Sequence, residues 1–235
     1  MRTGAIIFSR MTSSRLPGKA FADINGKSLI ERVFSRTKEI KLIDHICIAT
    51  SKHSEDDSIA SFAINNGINL YRGSLNNVLE RAVNASIKFK YDNILRVCGD
   101  RPFLDASLYD KMIDKHIHEN SDLTTNIFPR SVPAGLTGEI IKLETLKEIN
   151  ENVTDPVDKE HVTRYIYNNS PKFKLYNYNC NYSHEIKSLR LVVDDSNDLK
   201  RARWICKRLE ENKMLNNETK QIISLALEFE KKIKK

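Results

Sequence analysis

The chain has 235 residues, with 38 Lys and Arg against 31 Asp and Glu, a net charge of +7. A hydrophobic share of 40% excludes a disordered chain, and the apolar runs are too short for a signal peptide or a membrane span. The surplus charge suits a polyanionic ligand, but no nucleic-acid motif or basic stripe interleaved with aromatic residues accompanies it, and part of it sits in the Lys-rich C-terminus.

The first element is a buried strand over residues 5–8, Ala5, Ile6, Ile7 and Phe8. It runs into a small, polar, basic loop in which Arg10, Arg15 and Lys19 surround Ser9, Thr12, Ser13, Ser14 and Gly18. Cations and free backbone N–H groups at a strand end make a cradle for several adjacent negative charges, and a triphosphate is the natural candidate. The loop is not a Walker loop, because GxxxxGK[ST] is absent.

Ser28 and Glu31 have capping-box spacing, and a helical face runs from Leu29 to Ile40. Residues 45–50 read as a second strand, and Ser54 to Asp57 as the cap of a helix that ends at Gly67. A short strand at 68–71 leads to the turn Arg72, Gly73, Ser74. Residues 77–88 are helical, and a strand at 93–98 ends at Gly99 and Asp100. Such alternation predicts a mostly parallel sheet with helices on both faces.

The second half is less regular. A helix near 105–119 is followed by strands near 122–128 and 138–142, a helix at 143–152 and another from about Asp158. Residues 173–178 and 189–193 read as strands, and helices at about 196–212 and 217–234 form a C-terminal extension. Nothing divides the chain, so residues 1–235 are expected to form one domain. Cys47, Cys98, Cys180 and Cys206 lack metal-ligand or redox spacing and read as thiols in a reducing cytoplasm.

The polar groups fall where open α/β sheets bind ligands, beyond the carboxyl ends of strands. Asp100 and Asp194 each end an apolar run. Two carboxylates from separate strands, facing a phosphate cradle, suit Mg²⁺, which completes its shell with phosphate oxygens. Asp195 reads as a cap of the next helix, and Asp198 lies in its first turn. Glu160 and His161 could do acid–base work or simply start a helix.

Together these segments resemble a family. They are Arg10 to Lys19; Ala49, Thr50 and Ser51 with Glu55 to Asp57; Tyr71 to Ser74 with Asn77 to Arg81; Arg96 to Pro102; Pro133 to Leu136; Glu160 to Thr163; and Val193 to Leu199. In that order they resemble the SpsF-type cytidylyltransferases of spore-coat polysaccharide biosynthesis, relatives of the CMP-Kdo and CMP-sialic acid synthetases. The resemblance implies a GT-A-like, Rossmann-like nucleotidyltransferase fold, CTP as substrate, Mg²⁺ dependence and a homodimer. It implies CMP transfer to an anionic sugar for polysaccharide or glycoconjugate synthesis. By position, Ser9, Arg10, Ser13, Arg15 and Lys19 would hold the triphosphate, and Thr50, Ser51, Arg72, Gly73, Ser74, Arg96 and Gly99 would complete the nucleotide site. Asp100 and Asp194 would bind the metal, with Arg15, Lys19 and Asp100 carrying catalysis. Glu139, Glu160, His161 and Arg190 would lie toward the acceptor.

The chain departs from the family's pattern at Ala134, Thr137 and Gly138, where the acceptor would bind, and at Asp195 and Ser196, where Thr-Pro is usual. A phosphonate acceptor, or a glycosyltransferase using a nucleotide-sugar, are the alternative chemistries.

Overall fold

The N-terminal apolar run sits in the middle of the sheet, covered on both faces. The computed structural model of the chain describes residues 1–211 and 218–233. Strand β1 (Thr3–Phe8) leads, after the basic loop, to a small hairpin, β2 (Asp23–Ile24) and β3 (Lys27–Ser28), and then to helix α1 (Leu29–Thr37). Next come β4 (His45–Ser51), α2 (Asp57–Asn65), β5 (Asn69–Gly73) and α3 (Val78–Phe89), followed by β6 (Asn93–Cys98) and α4 (Ala106–Glu119). The second half contributes β7 (Leu123–Thr125), β8 (Glu139–Lys142) and α5 (Leu143–Asn152), then the short helices α6 (Pro156–Glu160) and α7 (Arg164–Asn168). It closes with β9 (Leu175–Asn177), α8 (His184–Lys187), α9 (Ser196–Glu211) and α10 (Thr219–Ile233).

Among the described residues the main sheet has 7 strands in the order β5-β4-β1-β6-β8-β7-β9. The strands β5, β4, β1 and β6 pair in parallel, whereas β8 runs antiparallel to both of its neighbours. Alternation along β1 sends Ala5 and Ile7 to the face covered by α1, α4, α9 and α10, and Ile6 to the face covered by α3 and α5. Burial of Ile6 and of Ile7 contributes roughly 1.5–3 kcal/mol each. No helix among the described residues is long and apolar enough to cross a membrane.

Local signals account for most helix starts. Ser28 and Glu31 form the capping box that their spacing predicts, and Asp105 caps α4. Four differences from the expected elements have identifiable causes. The β2–β3 hairpin turns on Asn25 and Gly26, both at positive φ (51° and 74°), the signature of a primed two-residue turn. The strand expected at 122–128 stops at Thr125, because the Asn126 amide donates to the Leu136 carbonyl (3.1 Å) and accepts from Gly138 N (2.9 Å). The helix expected from Asp158 begins earlier, at Pro156 under an Asp155 cap, and breaks at His161.

The strand expected at 189–193 is not one. Arg190 makes an isolated bridge to Ala134, and Leu191 N donates to the Ala134 carbonyl at 2.7 Å. Gly135 allows this close crossing: its φ is +105°, and a Cβ there would lie 2.4 Å from the Leu191 carbonyl oxygen. The expected helix ends at 212, 217 and 234 lie outside the described residues.

His116, 1% exposed, sits between Thr124 Oγ1 (3.0 Å) and Asn93 Oδ1 (3.2 Å). Burial, aided by the Lys142 ammonium, pushes its imidazole down from 6.5 to about 4. The folded ring therefore stays neutral while the unfolded one takes up a proton, and stability falls as pH drops from 6.5 toward 4. The expected loss over that window is roughly 3 kcal/mol. Urea midpoints across it should fall steeply in the wild-type protein and less in His116→Gln; parallel falls would remove His116 as the cause.

Candidate active site

Adjacent strand ends bring the basic loop and Asp100 together. Phe8 is in register with Cys98, so the chain leaves β1 and β6 at the same level. The Gly99 amide donates to the Phe8 carbonyl at 2.8 Å, and a Cβ at Gly99 would lie 2.9 Å from both that oxygen and Ser9 Cβ. Glycine is thus required where the loop and the carboxylate-bearing turn touch. Asp194 reaches the same place through the backbone, since Val193 N donates to the Asp100 carbonyl at 2.9 Å.

The side chains then converge. Lys19 Nζ lies 2.8 Å from Asp194 Oδ1, 3.5 Å from Asp100 Oδ2 and 3.1 Å from the Val193 carbonyl. Arg15 approaches Asp194 Oδ2 at 3.3 Å. Burial raises the Asp194 pKa, but the Lys19 hydrogen bond and the Lys19 and Arg15 charges outweigh it and hold the carboxylate below its usual range. Asp100 Oδ1 is buried with no hydrogen-bond partner, and Arg101 Nε lies 4.0 Å from it. An orphaned carboxylate oxygen beside a second carboxylate fits a hard divalent cation that takes its other ligands from phosphate. No group of three or more metal-binding side chains gathers among the described residues, so a metal here would need those ligand oxygens.

These groups line a cavity of about 410 Å³. Its wall places Arg10, Arg15, Lys19, Arg81 and Arg96 against Asp100, Glu160 and Asp194, an excess of positive charge that suits a polyanion. Across the mouth, Arg10 Nη2 pairs with Glu160 Oε1 at 3.0 Å, with His161 beside it on the wall. Ser9, Ser13 and Gly99 also line it, so most residues expected around the phosphates meet here.

The structure puts other expected residues elsewhere. Thr50, Ser51 and Gly73 are buried behind the loop, and Ser74 is exposed outside the cavity. The Arg72 guanidinium points away from the ligand space: it donates to the Ser51 and His53 carbonyls (both 2.8 Å) and pairs with Asp57 at 2.6 Å. Glu139, expected toward the acceptor, is buried off the cavity. It accepts from Arg96, from Thr163 Oγ1 (2.7 Å) and from Tyr167 OH (2.7 Å). Arg190 lies on the far side of Asp194, 3.7 Å from it, and grips Asp198 with two nitrogens at 2.9 and 3.2 Å. Asp195 caps α9 by accepting from the Asn197 and Asp198 amides, both at 2.9 Å.

Two residues named in the sequence take roles there that its pattern does not assign, one on the wall and one in support. Arg81, one turn into α3, stacks over the Phe8 ring at 5.9 Å and donates to the Ser74 carbonyl at 2.6 Å. Burial, then the nearby Arg10 charge, lowers its pKa to about 10. Its spacing from Val78 on the helix face was the available signal. Asp198 holds the Asp194 amide at 3.1 Å while its charge is met by Arg190 and Arg201.

Residues 4–229 match a family model described as cytidylyltransferase. The spore coat polysaccharide biosynthesis protein SpsF of Bacillus subtilis is 31% identical over 82% of this chain and 81% of its own. A 3-deoxy-manno-octulosonate cytidylyltransferase of Geobacter metallireducens is 27% identical over 48% of this chain and 44% of its own. A solved cytidylyltransferase from Leptospira borgpetersenii superposes with a TM-score of 0.87 at 26% identity, covering 100% of this chain and 96% of its own.

Proposed function

Since the chain belongs to the cytidylyltransferase family, and is thus a CTP-dependent nucleotidyltransferase, we propose that its acceptor is an anionic sugar, a sugar acid above all. The product would be a CMP-sugar for surface polysaccharide or glycoconjugate synthesis, and pyrophosphate would leave. The family match sets aside a glycosyltransferase that consumes a nucleotide-sugar. The observation that carries the proposal is the convergence of Arg10, Arg15, Lys19, Asp100 and Asp194 on one cavity, with Arg81 as a further cation on its wall. The phosphates of CTP account for the first group. Arg81 leaves positive charge for an acidic acceptor.

In the reaction proposed, an acceptor oxygen attacks the α-phosphorus in line. A new P–O bond forms, the bond to the β-phosphate breaks, and the acceptor proton passes to solvent. Such transfers depend on positioning and charge neutralisation. Lys19 and Arg15, now held by carboxylates, would exchange those partners for phosphate oxygens and meet the charge growing on pyrophosphate. Asp100 and Asp194 would hold Mg²⁺, which when bound neutralises charge on the phosphate oxygens. Ser9, Ser13 and Gly99 would contact the nucleotide, and Glu160 and His161 would face the acceptor. The setting proposed is the cytoplasm, where CTP is made, and the assembly a homodimer; a single-chain mass in sedimentation would remove the dimer.

Incubation with CTP, Mg²⁺ and a panel of sugar acids, sugar phosphates and phosphonates tests the acceptor. Pyrophosphate release with a sugar acid, and its CMP conjugate by mass spectrometry, is the expected result. Release with phosphonates alone would move the assignment to that class.

A further inference from the structure

Asp56 is buried, 1% exposed, and makes no ion pair within 4 Å among the described residues, though the Arg81 charge acts on it. It lies in the turn between β4 and α2, where an acidic residue ordinarily caps the helix, yet its side chain makes no cap bond. Instead one oxygen accepts from the Met11 amide at 2.7 Å, in the middle of the basic loop 45 residues earlier. The other accepts from Ser51 N at 3.1 Å and from the Ser51 hydroxyl. Burial alone would raise the Asp56 pKa; these donors hold it below its usual range, so the group is a carboxylate.

Met11 is where the loop is pinned. Its N–H enters Asp56, and its carbonyl accepts from Gly18 N at 3.1 Å, closing the loop one residue before Lys19. Arg10 precedes this peptide and Lys19 follows its partner, so one carboxylate fixes the roots of two of the cavity's cations. The turn that carries Asp56 is itself rigid. Arg72 ties together Ser51, His53 and Asp57, and Lys52 N donates to the Gly73 carbonyl at 3.0 Å. Residues expected to line the nucleotide pocket thus form a brace behind it. Bonds from backbone amides to a carboxylate are roughly twice as strong as neutral ones, and a loop held in its binding shape loses less entropy when the ligand arrives.

We propose that Asp56 is a positioning residue for the triphosphate: it touches no ligand, and through the Met11 peptide it holds the loop that aims Arg10 and Lys19. The proposal rests on the nucleotide reading above for its ligand, and on the geometry alone for the loop. In Asp56→Asn the KM for CTP is expected to rise about tenfold, with the acceptor KM unchanged, and the Met11 and Gly18 amides to lose hydrogen-exchange protection in the free protein. Thr124→Ala, which removes a buried hydrogen bond to His116 outside the cavity lining, should lower stability without that selective effect. Asp56→Glu, which keeps the charge but displaces the oxygens, provides the same reading if the amide variant fails to fold. Retained Met11 and Gly18 protection overturns the proposal whatever the substrate. So does an equal rise in both KM values shared by Thr124→Ala, which would mark Asp56 as a fold residue only. Absence of CTP turnover in the wild-type protein would instead overturn the nucleotide reading.

Discussion

Asp100→Asn is expected to lower CMP transfer about a thousandfold while shifting the melting temperature by no more than about 3 °C. The separation of the two effects follows from the geometry. Asp100 Oδ1 has no hydrogen-bond partner, and Oδ2 lies 3.5 Å from a lysine that keeps a better partner, Asp194, at 2.8 Å. The local backbone is fixed by other groups: Gly99 N on the Phe8 carbonyl and Val193 N on the Asp100 carbonyl. An amide of the same shape leaves these bonds in place. It removes the charge that the proposed mechanism places beside the transferring phosphate. Single-turnover rates and thermal melts measured on the same preparation decide the matter, and a rate within tenfold of wild type would take Asp100 out of catalysis.

Glu139→Ala is expected to act in the opposite way, through the fold. Glu139 and Arg96 face each other across β8 and β6, one step beyond the pairing of Leu95 with Ile140. Removing the carboxylate strands the Arg96 charge and leaves Thr163 and Tyr167 without their acceptor. Breaking a buried pair from one side costs about 3–5 kcal/mol, and in a chain of this size the melting temperature should fall by roughly 10 °C. Burial pushes the Glu139 pKa up, but the Arg96 charge and the Tyr167 and Thr163 hydroxyls hold it below the usual glutamate value of 4.5. Its stabilisation is therefore complete above that value and is lost as pH falls through the lowered one. Calorimetry at neutral and acid pH should show the wild-type and variant curves converge on acidification; a variant as stable as wild type at neutral pH would refute the assigned role.

The parts of the fold that the sequence makes legible are those written in short-range patterns. The apolar runs at β1, β4 and β6, the capping box at Ser28 and the glycine at 99 each carry their own local signal. The basic loop and Asp100 were visible because parallel strands deliver their carboxyl ends to one edge. What a carboxylate does there was not visible, because it depends on a partner far along the chain. Asp56 looks like a helix cap and instead holds Met11; Glu139 looks like an acceptor ligand and instead meets Arg96, Thr163 and Tyr167. Arg72 shows the same gap, spent on carbonyls rather than on the cavity. Residues 189–193 alternate like a strand, but a crossing at Gly135 replaces the ladder. The β2–β3 hairpin goes unread because its strands are two residues each and carry no apolar run, although Asn25 and Gly26 mark its turn.

The bond from Gly99 to Phe8 has a consequence for how the molecule opens. It extends the pairing of β1 with β6, two strands buried in the middle of the sheet, and so joins the cavity's Asp100 edge to the most deeply buried part of the molecule. Helix α6, five residues with none buried, has no such tie, whereas α7 is anchored through Thr163 and Tyr167 on Glu139 and through buried Ile166. Sparse burial marks the less stable parts of a fold. The wall that carries Glu160, at the end of α6, is therefore expected to lose hydrogen-exchange protection before the wall that carries Gly99 and Asp100.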